Sequence, residues 1–170
     1  MELRRMETHD LPAVMAILHQ AQAYFKAQGI DQWQDGYPDE ATLLQDIQNG
    51  TAYVAEQDKM IAGCATVAFT PDENYTTMVS GQWLTDRPYA VIHRITVDEQ
   101  LKGQGIAGWI LAQAEQMCSQ RGVLSIKIDT HQDNASMRRL LEKHNYQLCG
   151  VIQLHRDLSL RVAYEKRLEE

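Results

Sequence analysis

The sequence predicts one α/β domain that spans residues 1–170, and three observations support this prediction. The chain has 170 residues, of which 44% are apolar, and this is enough for a single hydrophobic core. Segments with a two-residue apolar period alternate with segments of helical period along the chain. No repeat, low-complexity tract or linker interrupts this alternation.

The N-terminal part is predicted to form a short strand, residues 3–6, followed by two helices. Thr8 or Asp10 can cap the first helix, which extends to about residue 26 and is ended by Gly29. Residues 31–38 form a loop, and residues 39–48 form the second helix. The apolar face of the first helix contains Val14, Ile17, Leu18, Ala21 and Phe25.

The central part is predicted to form three strands. Residues 52–56 and 60–69 have the pattern of a hairpin with its turn at residues 57–59. Residues 70–87 are polar and aromatic, and we interpret them as an irregular excursion that could act as a lid. Residues 89–97 form the third strand.

The C-terminal part begins with a helix at residues 105–121, whose apolar stripe contains Ile106, Trp109, Ile110, Ala114, Met117 and Cys118. A strand at residues 124–129, a helix at 135–144 and strands at 147–154 and 161–166 complete the prediction. The order is therefore strand, two helices, three strands, helix, strand, helix and two strands. Periodicity alone assigns this order to the α/β class.

Composition restricts the partners. The net charge of −7, without a basic run, disfavours binding to nucleic-acid phosphates. The N-terminus has no apolar signal region, and no uncharged apolar stretch approaches about 18 residues, so we expect no membrane partner and a soluble, cytoplasmic protein. The three cysteines have no metal-binding spacing, and we expect Cys64, Cys118 and Cys149 to be core residues.

A glycine-containing loop follows the third central strand and carries the strongest functional signal. Gly103, Gly105 and Gly108 lie just before or at the start of the predicted helix. Glycines allow close approach of the backbone to a diphosphate, and the unpaired amides at a helix N-terminus attract its charge. The pattern therefore predicts a site for a nucleotide-type cofactor.

Two motifs overlap on this loop. Gly103-Gln104-Gly105-Ile106-Ala107-Gly108 fits the dinucleotide fingerprint G-x-G-x-x-G, and Asp129 lies about 20 residues downstream, where a ribose-binding acid is expected. However, residues 98–102 separate the strand from the first glycine, and too little chain follows to complete a doubly wound sheet. This spacing disfavours a nicotinamide cofactor.

The other motif, Lys102-x-x-Gly105-x-Ala107, resembles the [QR]-x-x-G-x-[GA] pattern of the GNAT superfamily of N-acetyltransferases. The resemblance continues through Ile95-Thr96-Val97-Asp98 before the loop and through Asn134 after the next strand. Residues 140–146 (LLEKHNY) are similar to the family's L-Y-E-K-x-G-F segment, with Leu141 at the tyrosine position and Asn145 at the glycine position.

The resemblance implies a mixed, mostly antiparallel sheet with flanking helices, in which two parallel strands ending near Val97 and Asp129 splay apart. It implies acetyl-CoA as the cofactor, with its pantetheine arm between these strands. The cofactor-binding residues would be Ile95, Val97, Lys102, Gly103, Gln104, Gly105, Ile106, Ala107 and Asn134.

Transfer of an acetyl group to an amine requires removal of a proton. An amine with a pKa near 10.4 is unprotonated only about once in a few thousand molecules at pH 7. His93 is the first candidate base, because strand alternation places it on the face of Ile95 and Val97. Asp129 or His131 could instead relay the proton through water. The resemblance assigns the Val97 amide to the developing oxyanion.

The leaving thiolate has no obvious proton donor. By resemblance a tyrosine would protonate it, but Leu141 occupies that position and cannot. A thiol with a pKa near 8.5 can leave without full protonation. Tyr146 and Tyr164 are the alternative donors, and core packing is the competing interpretation for both rings.

The acceptor site is the least defined part. Trp33, Tyr37, Trp83 and Tyr89 lie in irregular segments and could line a pocket. Arg94 and Arg161 could bind an acceptor carboxylate or pair with surface acids. The residues predicted to bind the acceptor are Trp33, Tyr37, Arg94 and Tyr164, and no metal site is expected because no third ligand has a suitable spacing.

Three functions remain open on this evidence. The favoured one is an acetyl-CoA-dependent N-acetyltransferase acting on a small-molecule or peptide amine, as a monomer or homodimer. The second is a sensor that binds acyl-CoA without catalysis, which the missing tyrosine suggests. The third is a nicotinamide oxidoreductase, which the overlapping glycines suggest.

Overall fold

The computed structural model describes residues 1–169. The chain forms two compact units, one made of Met1–Val67 with Arg94–Gln113, and the other of Ala68–His93 with the chain from Ala114 onward. One strand passes from the second unit to the first between His93 and Arg94. These two neighbouring residues therefore belong to different units.

The first unit contains two complete helices and one side of the sheet, with strand order β1-β2-β3-β5. β1 pairs antiparallel with β2, and β2 pairs antiparallel with β3. Its elements are β1 (Glu2–Arg5), α1 (Leu11–Ala27), α2 (Glu40–Gln48), β2 (Ala52–Gln57), β3 (Met60–Ala68), the end of β5 (Ala90–Val97) and the start of α3 (Ile106–Gln120).

Local sequence explains how these elements begin and end. Asp39 caps α2 because its side chain accepts a hydrogen bond from the Thr42 amide at 2.9 Å. Asp58 and Lys59 both have positive φ, as a tight hairpin turn between β2 and β3 requires. The predicted face of α1 is buried. Its Ala21 and Phe25 pack with Ile30 in one apolar cluster. Val14 and Leu18 pack with α2, β2 and β3 in another cluster, which consists of Met6, Leu11, Val14, Leu18, Leu43, Ala52, Val54 and Cys64.

The second unit contains the start of β5 and the remaining strands, in the order β5-β6-β8-β7-β4. β5 and β6 are parallel, with Ala90 opposite Ile126 and Val91 opposite Lys127. The β6–β8, β8–β7 and β7–β4 pairs are antiparallel. The elements are β4 (Met78–Gly81), β6 (Ser125–Thr130), α4 (Ala135–Lys143), β7 (Gln147–Gln153) and β8 (Leu160–Arg167).

The predicted fold class is confirmed: a mixed sheet, mostly antiparallel, with one parallel pair and helices on its flanks. The predicted element order is wrong at one place, because β4 forms within the excursion. This strand has four residues, of which three are exposed, so it lacks the apolar alternation that marks a strand. Gly81 permits the pairing, because a Cβ there would lie 2.0 Å from the Cys149 carbonyl oxygen.

The cysteine prediction holds for two of the three residues. Cys64 and Cys118 are buried, whereas Cys149 on β7 is only half-buried. β7 has an irregular register between Leu148 and Gly150, and this irregularity lies at Cys149. Within residues 1–169, none of the helices has the length and apolar character needed to cross a bilayer.

Candidate active site

The loop at residues 102–105 exposes its backbone immediately before α3. Gly103 and Gly105 have φ values of +81° and +80°, and a Cβ on either would meet no atom within 4 Å. The left-handed backbone thus faces open space. The first amides of α3 have no acceptor within the helix, and its positive dipole end adds to their attraction for anions. This geometry fits a diphosphate.

The Lys102 side chain does not extend freely from this loop. Its ammonium group lies 4.3 Å from the centre of the Tyr24 ring on α1, where a cation–π interaction holds it. Gln104 is exposed, Ile106, the first residue of α3, is buried, and Ala107 is half-buried. The exposed backbone of the loop is available to an anion.

The end of β5 runs close to β3. A Cβ on Gly63 would lie 2.6 Å from the Thr96 carbonyl oxygen, so only glycine fits at this position. The Asp98 amide donates to the Ala62 carbonyl at 2.9 Å. Ile95 and Val97, the predicted pantetheine-binding residues, are half-buried on this strand.

Arg94 interrupts the alternation of β5, because its φ is +54°. Such a left-handed residue shifts the pleat of a strand. Strict alternation therefore does not place His93 on the face of Ile95 and Val97, and the role of His93 stays a prediction.

The Arg94 guanidinium is already paired within the first unit. Nη2 forms a short ion pair with Asp46, and Nη1 donates to the Tyr37 hydroxyl at 2.6 Å. The side chain is 9% exposed. Burial opposes the charge, but Tyr37 and Asp46 outweigh it and raise the pKa of Arg94. These contacts do not support the prediction that Arg94 binds an acceptor carboxylate.

The aromatic residues predicted to line an acceptor pocket divide into two groups. Trp33 is half-buried and packs edge-on against Phe25, with ring centres 5.6 Å apart, so it belongs to the core of the first unit. Tyr37 is half-buried beside Arg94. Trp83 and Tyr89 pack around Tyr75 in the second unit.

His93 forms a pair with an acid that sequence reasoning missed. Its Nε2 lies 2.9 Å from the Asp72 carboxylate, and the imidazole is 26% exposed. Burial raises the pKa of Asp72, but the hydrogen bond and charge of His93 and the Asn74 donors outweigh it, so the pKa is lowered. Asp72 is therefore an anion at neutral pH.

Asp129 and His131, the alternative relay residues, have different partners. Asp129 accepts a hydrogen bond from the Tyr75 hydroxyl at 2.6 Å. Burial, followed by the Asp129 charge, raises the pKa of Tyr75, so the phenol remains the donor. His131 Nδ1 accepts from the Asp133 amide at 3.0 Å.

Two further buried groups hold the segment between β3 and β5, residues 69–89, which we call the β3–β5 segment. Glu165 on β8 accepts from the Leu84 amide at 2.6 Å and the Thr85 hydroxyl at 2.7 Å. Lys127 on β6 lies 4.3 and 3.9 Å from the ring centres of Trp83 and Tyr89, and burial lowers its pKa.

These contacts argue against the interpretation of the excursion as a lid. Each one joins the β3–β5 segment to a titratable side chain of the second unit. Sequence patterns could not identify the partners, because they lie many residues apart in the chain. The isolated charge of Lys127 within the apolar run of residues 124–128 is the one signal that could have indicated such a network.

The remaining predicted residues are mostly structural. The Asn134 side chain caps α4 by accepting from the Met137 amide at 3.2 Å. Tyr164 is fully buried and its hydroxyl accepts from Arg138 at 3.0 Å, which does not support contact with an acceptor. Tyr146 and Leu141 are also buried. Burial is the largest cause of the raised pKa of both tyrosines.

Within residues 1–169, no group of three or more histidine, cysteine, aspartate or glutamate side chains is arranged to hold a metal ion.

Comparison with known proteins identifies the class to which this fold and loop belong. The model of the acetyltransferase (GNAT) family matches residues 15–146. A GNAT-family acetyltransferase from Streptococcus agalactiae is 34% identical, with a TM-score of 0.89 over 99% of this chain and 96% of that one. No curated protein matches the chain.

Two more distant structures show the same fold. A ribosomal-protein-alanine N-acetyltransferase from Brucella melitensis is 21% identical, with a TM-score of 0.71 over 99% of this chain and all of that one. The PaiA N-acetyltransferase from Thermoplasma acidophilum, in complex with coenzyme A, is 15% identical, with a TM-score of 0.72 over 98% of each chain.

The chain belongs to the GNAT acetyltransferase family. The acetyl donor of this family is acetyl-CoA. The nicotinamide oxidoreductase hypothesis is therefore discarded. The assignment of Lys102-x-x-Gly105-x-Ala107 to cofactor binding stays a prediction.

Proposed function

We propose that the protein transfers an acetyl group from acetyl-CoA to the amine of a small-molecule or peptide acceptor by direct attack. The observation that carries this proposal is the His93–Asp72 pair, because it leaves one imidazole nitrogen able to accept a proton. The exposed glycine loop before α3 supports the cofactor part of the proposal.

The backbone supplies most of the cofactor site in this proposal. The amides of residues 102–107 hold the diphosphate of acetyl-CoA, and Gly103 and Gly105 leave the space that it needs. The backbone of Ile95 and Val97 forms hydrogen bonds with the pantetheine arm. These two residues follow Ala90 and Val91, the residues of β5 that pair with β6. For Asn134, contact with the arm stays a prediction beside its observed capping role.

His93 is the best base among the three candidates. His131 uses its Nδ1 lone pair to accept the Asp133 amide, so its neutral form carries the proton on Nε2 and has no free lone pair. Asp129 already accepts a hydrogen bond from the Tyr75 phenol through Oδ2, so this oxygen is occupied. His93 has an anion at one nitrogen and, within residues 1–169, no hydrogen-bond partner at the other.

The reaction then needs little more from side chains. The Val97 amide stabilises the oxyanion that forms as the amine attacks the thioester. The amine loses its proton to His93, the C–S bond breaks, and CoA leaves as a thiolate that takes a proton from water. The burial of Leu141, Tyr146 and Tyr164 supports departure without a side-chain acid.

The acceptor is less restricted by the structure than the donor. The net charge of −7 favours a cationic amine over an anionic one. The name of the Brucella relative indicates a protein acceptor for that enzyme, so peptides belong among the acceptors tested. Arg94 and Tyr164 have no part in acceptor binding in this proposal. We also expect residues 1–170 to act as one domain, as a monomer or homodimer in the cytoplasm.

The test is release of free CoA thiol from acetyl-CoA with a panel of polyamines, amino acids and short peptides, together with the mass of each product. We expect thiol release that depends on one class of amine, with a product heavier by one acetyl group. Binding of acetyl-CoA without thiol release for any amine would favour the alternative, a non-catalytic acyl-CoA sensor, which the absence of a tyrosine at position 141 suggests.

A further inference from the structure

The β3–β5 segment brings one carboxylate to His93 and holds it there by several contacts. Asp72 precedes a short 3₁₀ helix, Glu73–Tyr75, and caps it with Oδ1. That oxygen accepts from the Asn74 amide at 2.8 Å and from the Asn74 side-chain nitrogen at 2.9 Å. The Asp72 amide donates to the Tyr89 hydroxyl at 3.2 Å. The other oxygen, Oδ2, faces His93 Nε2.

We infer that Asp72 is a positioning residue that keeps the neutral His93 proton on Nε2, so that Nδ1 carries the lone pair that accepts the proton of the acceptor amine. This inference rests on the proposed function for its catalytic part. His93 Nδ1 is the atom that receives the proton, and Asp72, which lies outside the loop motif, positions the ring.

The assignment follows from hydrogen-bond chemistry. A carboxylate can only accept, so Nε2 must donate to Oδ2, and a neutral imidazole has a single N–H. Nδ1 is then the acceptor. When Nδ1 takes the amine proton, the imidazolium is stabilised by the Asp72 anion already in place. Tyr75 restricts the ring further, with its centre 6.1 Å from the imidazole centre.

The same geometry predicts the effect of Asp72→Asn. Both Asn74 donors point at Oδ1, so the new amide keeps its oxygen there and places its NH₂ group against His93 Nε2. Nε2 must then accept, and the imidazole proton moves to Nδ1. The base loses its lone pair although the side chains retain their shape and positions.

The first readout is the tautomer of His93, measured by long-range ¹H–¹⁵N NMR of the whole protein at a pH where the ring is neutral, with His93→Gln to assign the signal. We expect the Nε2–H form in the wild type and the Nδ1–H form in Asp72→Asn. Glu73→Gln is the matched control, because it removes the same charge from the next residue, whose side chain is 86% exposed. It should retain Nε2–H.

The second readout is turnover with the amine identified above. We expect Asp72→Asn to lower kcat by about 100-fold and Glu73→Gln to change kcat by less than about twofold. In a His93→Gln background, Asp72→Asn should cause no further loss in kcat. Nδ1–H in the wild type, an unchanged tautomer in Asp72→Asn, or a further loss in the double variant would overturn the inference. If Asp72→Asn does not fold, the tautomer of His93 in the wild type still tests whether Nε2 carries the proton.

The two proposals can fail separately. The tautomer is measured without acceptor or acetyl-CoA, so it tests the positioning role even if no amine is found. Full turnover in His93→Gln would overturn the base assignment and, with it, the catalytic part of the inference.

Discussion

The glycine loop at residues 102–105, in the first unit, and the β3–β5 segment, in the second, differ in the groups that they present. The loop offers exposed backbone, with two glycines whose missing side chains leave open space. The β3–β5 segment offers side chains, which are tied to His93, Asp129, Lys127 and Glu165 of the second unit. The first region presents exposed backbone, to which we assign cofactor binding, and the second holds its groups in buried polar pairs.

The two regions therefore differ in the substitutions that they tolerate. A site made of amides depends on backbone conformation and is insensitive to most side-chain changes. A site made of paired buried groups loses both structure and chemistry when one partner is removed, because the other is left unsatisfied. The predictions below test each side of this comparison.

The largest effect on stability is expected at Glu165. The residue is fully buried, and four donors, including the Ser125 hydroxyl at 2.7 Å, lose their acceptor in Glu165→Ala. We expect a loss of about 3 kcal/mol in the free energy of unfolding, measured with urea. Glu165→Gln should lose less, because the hydroxyl donors can turn to accept. If Glu165→Ala loses no more stability than the exposed control Glu73→Ala, Glu165 does not hold the β3–β5 segment.

The next effect is expected in the loop. Gly105→Ala adds a Cβ to a backbone with φ of +80° and should raise the KM for acetyl-CoA about tenfold, because the amide it positions moves. Gly122→Ala is the matched control, since Gly122 has φ of +69° and open space but lies after α3. Both should lose about 1 kcal/mol of stability. An equal KM effect in both variants would refute the loop assignment.

Lys102→Ala tests whether the charge of the loop, rather than its backbone, contributes to cofactor binding. Since the ammonium group is held over the Tyr24 ring, its removal should change the KM for acetyl-CoA by less than about threefold. A loss as large as that of Gly105→Ala would show that the charge rather than the backbone binds the diphosphate.

A smaller, pH-dependent effect is expected at Asp72. Its pKa is lowered in the folded protein, so its contribution is complete above the unfolded-state value near 3.9 and disappears as the pH falls through the lower folded-state value. Asp72→Asn should therefore cost about 1 kcal/mol at pH 6 in urea unfolding, and the cost should decrease as the pH falls below the unfolded-state value. A cost that does not change with pH would contradict the ionic character of the pair.

The smallest effects are expected for the two buried tyrosines. Tyr146→Phe and Tyr164→Phe should each retain turnover within about twofold, because thiolate can leave without an acid. A tenfold or larger loss in kcat for either variant, with an unchanged fold, would identify the missing proton donor.

The fold was largely predictable from local patterns, and the paired side chains were not. Within residues 1–169, apolar periodicity predicted all four α-helices and seven of the eight strands, and the loop motif indicated the family. β4 was missed because it is short and exposed, and its pairing depends on the Gly81 approach to Cys149. The partners of His93, Asp129 and Arg94 depend on contacts between residues far apart in the chain, which no single-sequence pattern encodes.

Arg94 illustrates this limit most clearly. An exposed arginine and a buried, paired one have the same sequence signature. Its left-handed backbone and its pairing with Asp46 are visible only in the structure, and together they break the alternation on which the placement of His93 depended.

The most direct test of the account is a comparison of acetyl-CoA binding and amine turnover in His93→Gln. We predict an unchanged Kd for acetyl-CoA, because the loop backbone binds it, and a loss in kcat of about 100-fold, because the base is gone. Turnover within about twofold of the wild type would contradict the assignment of His93 as the base. A loss of affinity for acetyl-CoA would contradict the assignment of cofactor binding to the loop backbone.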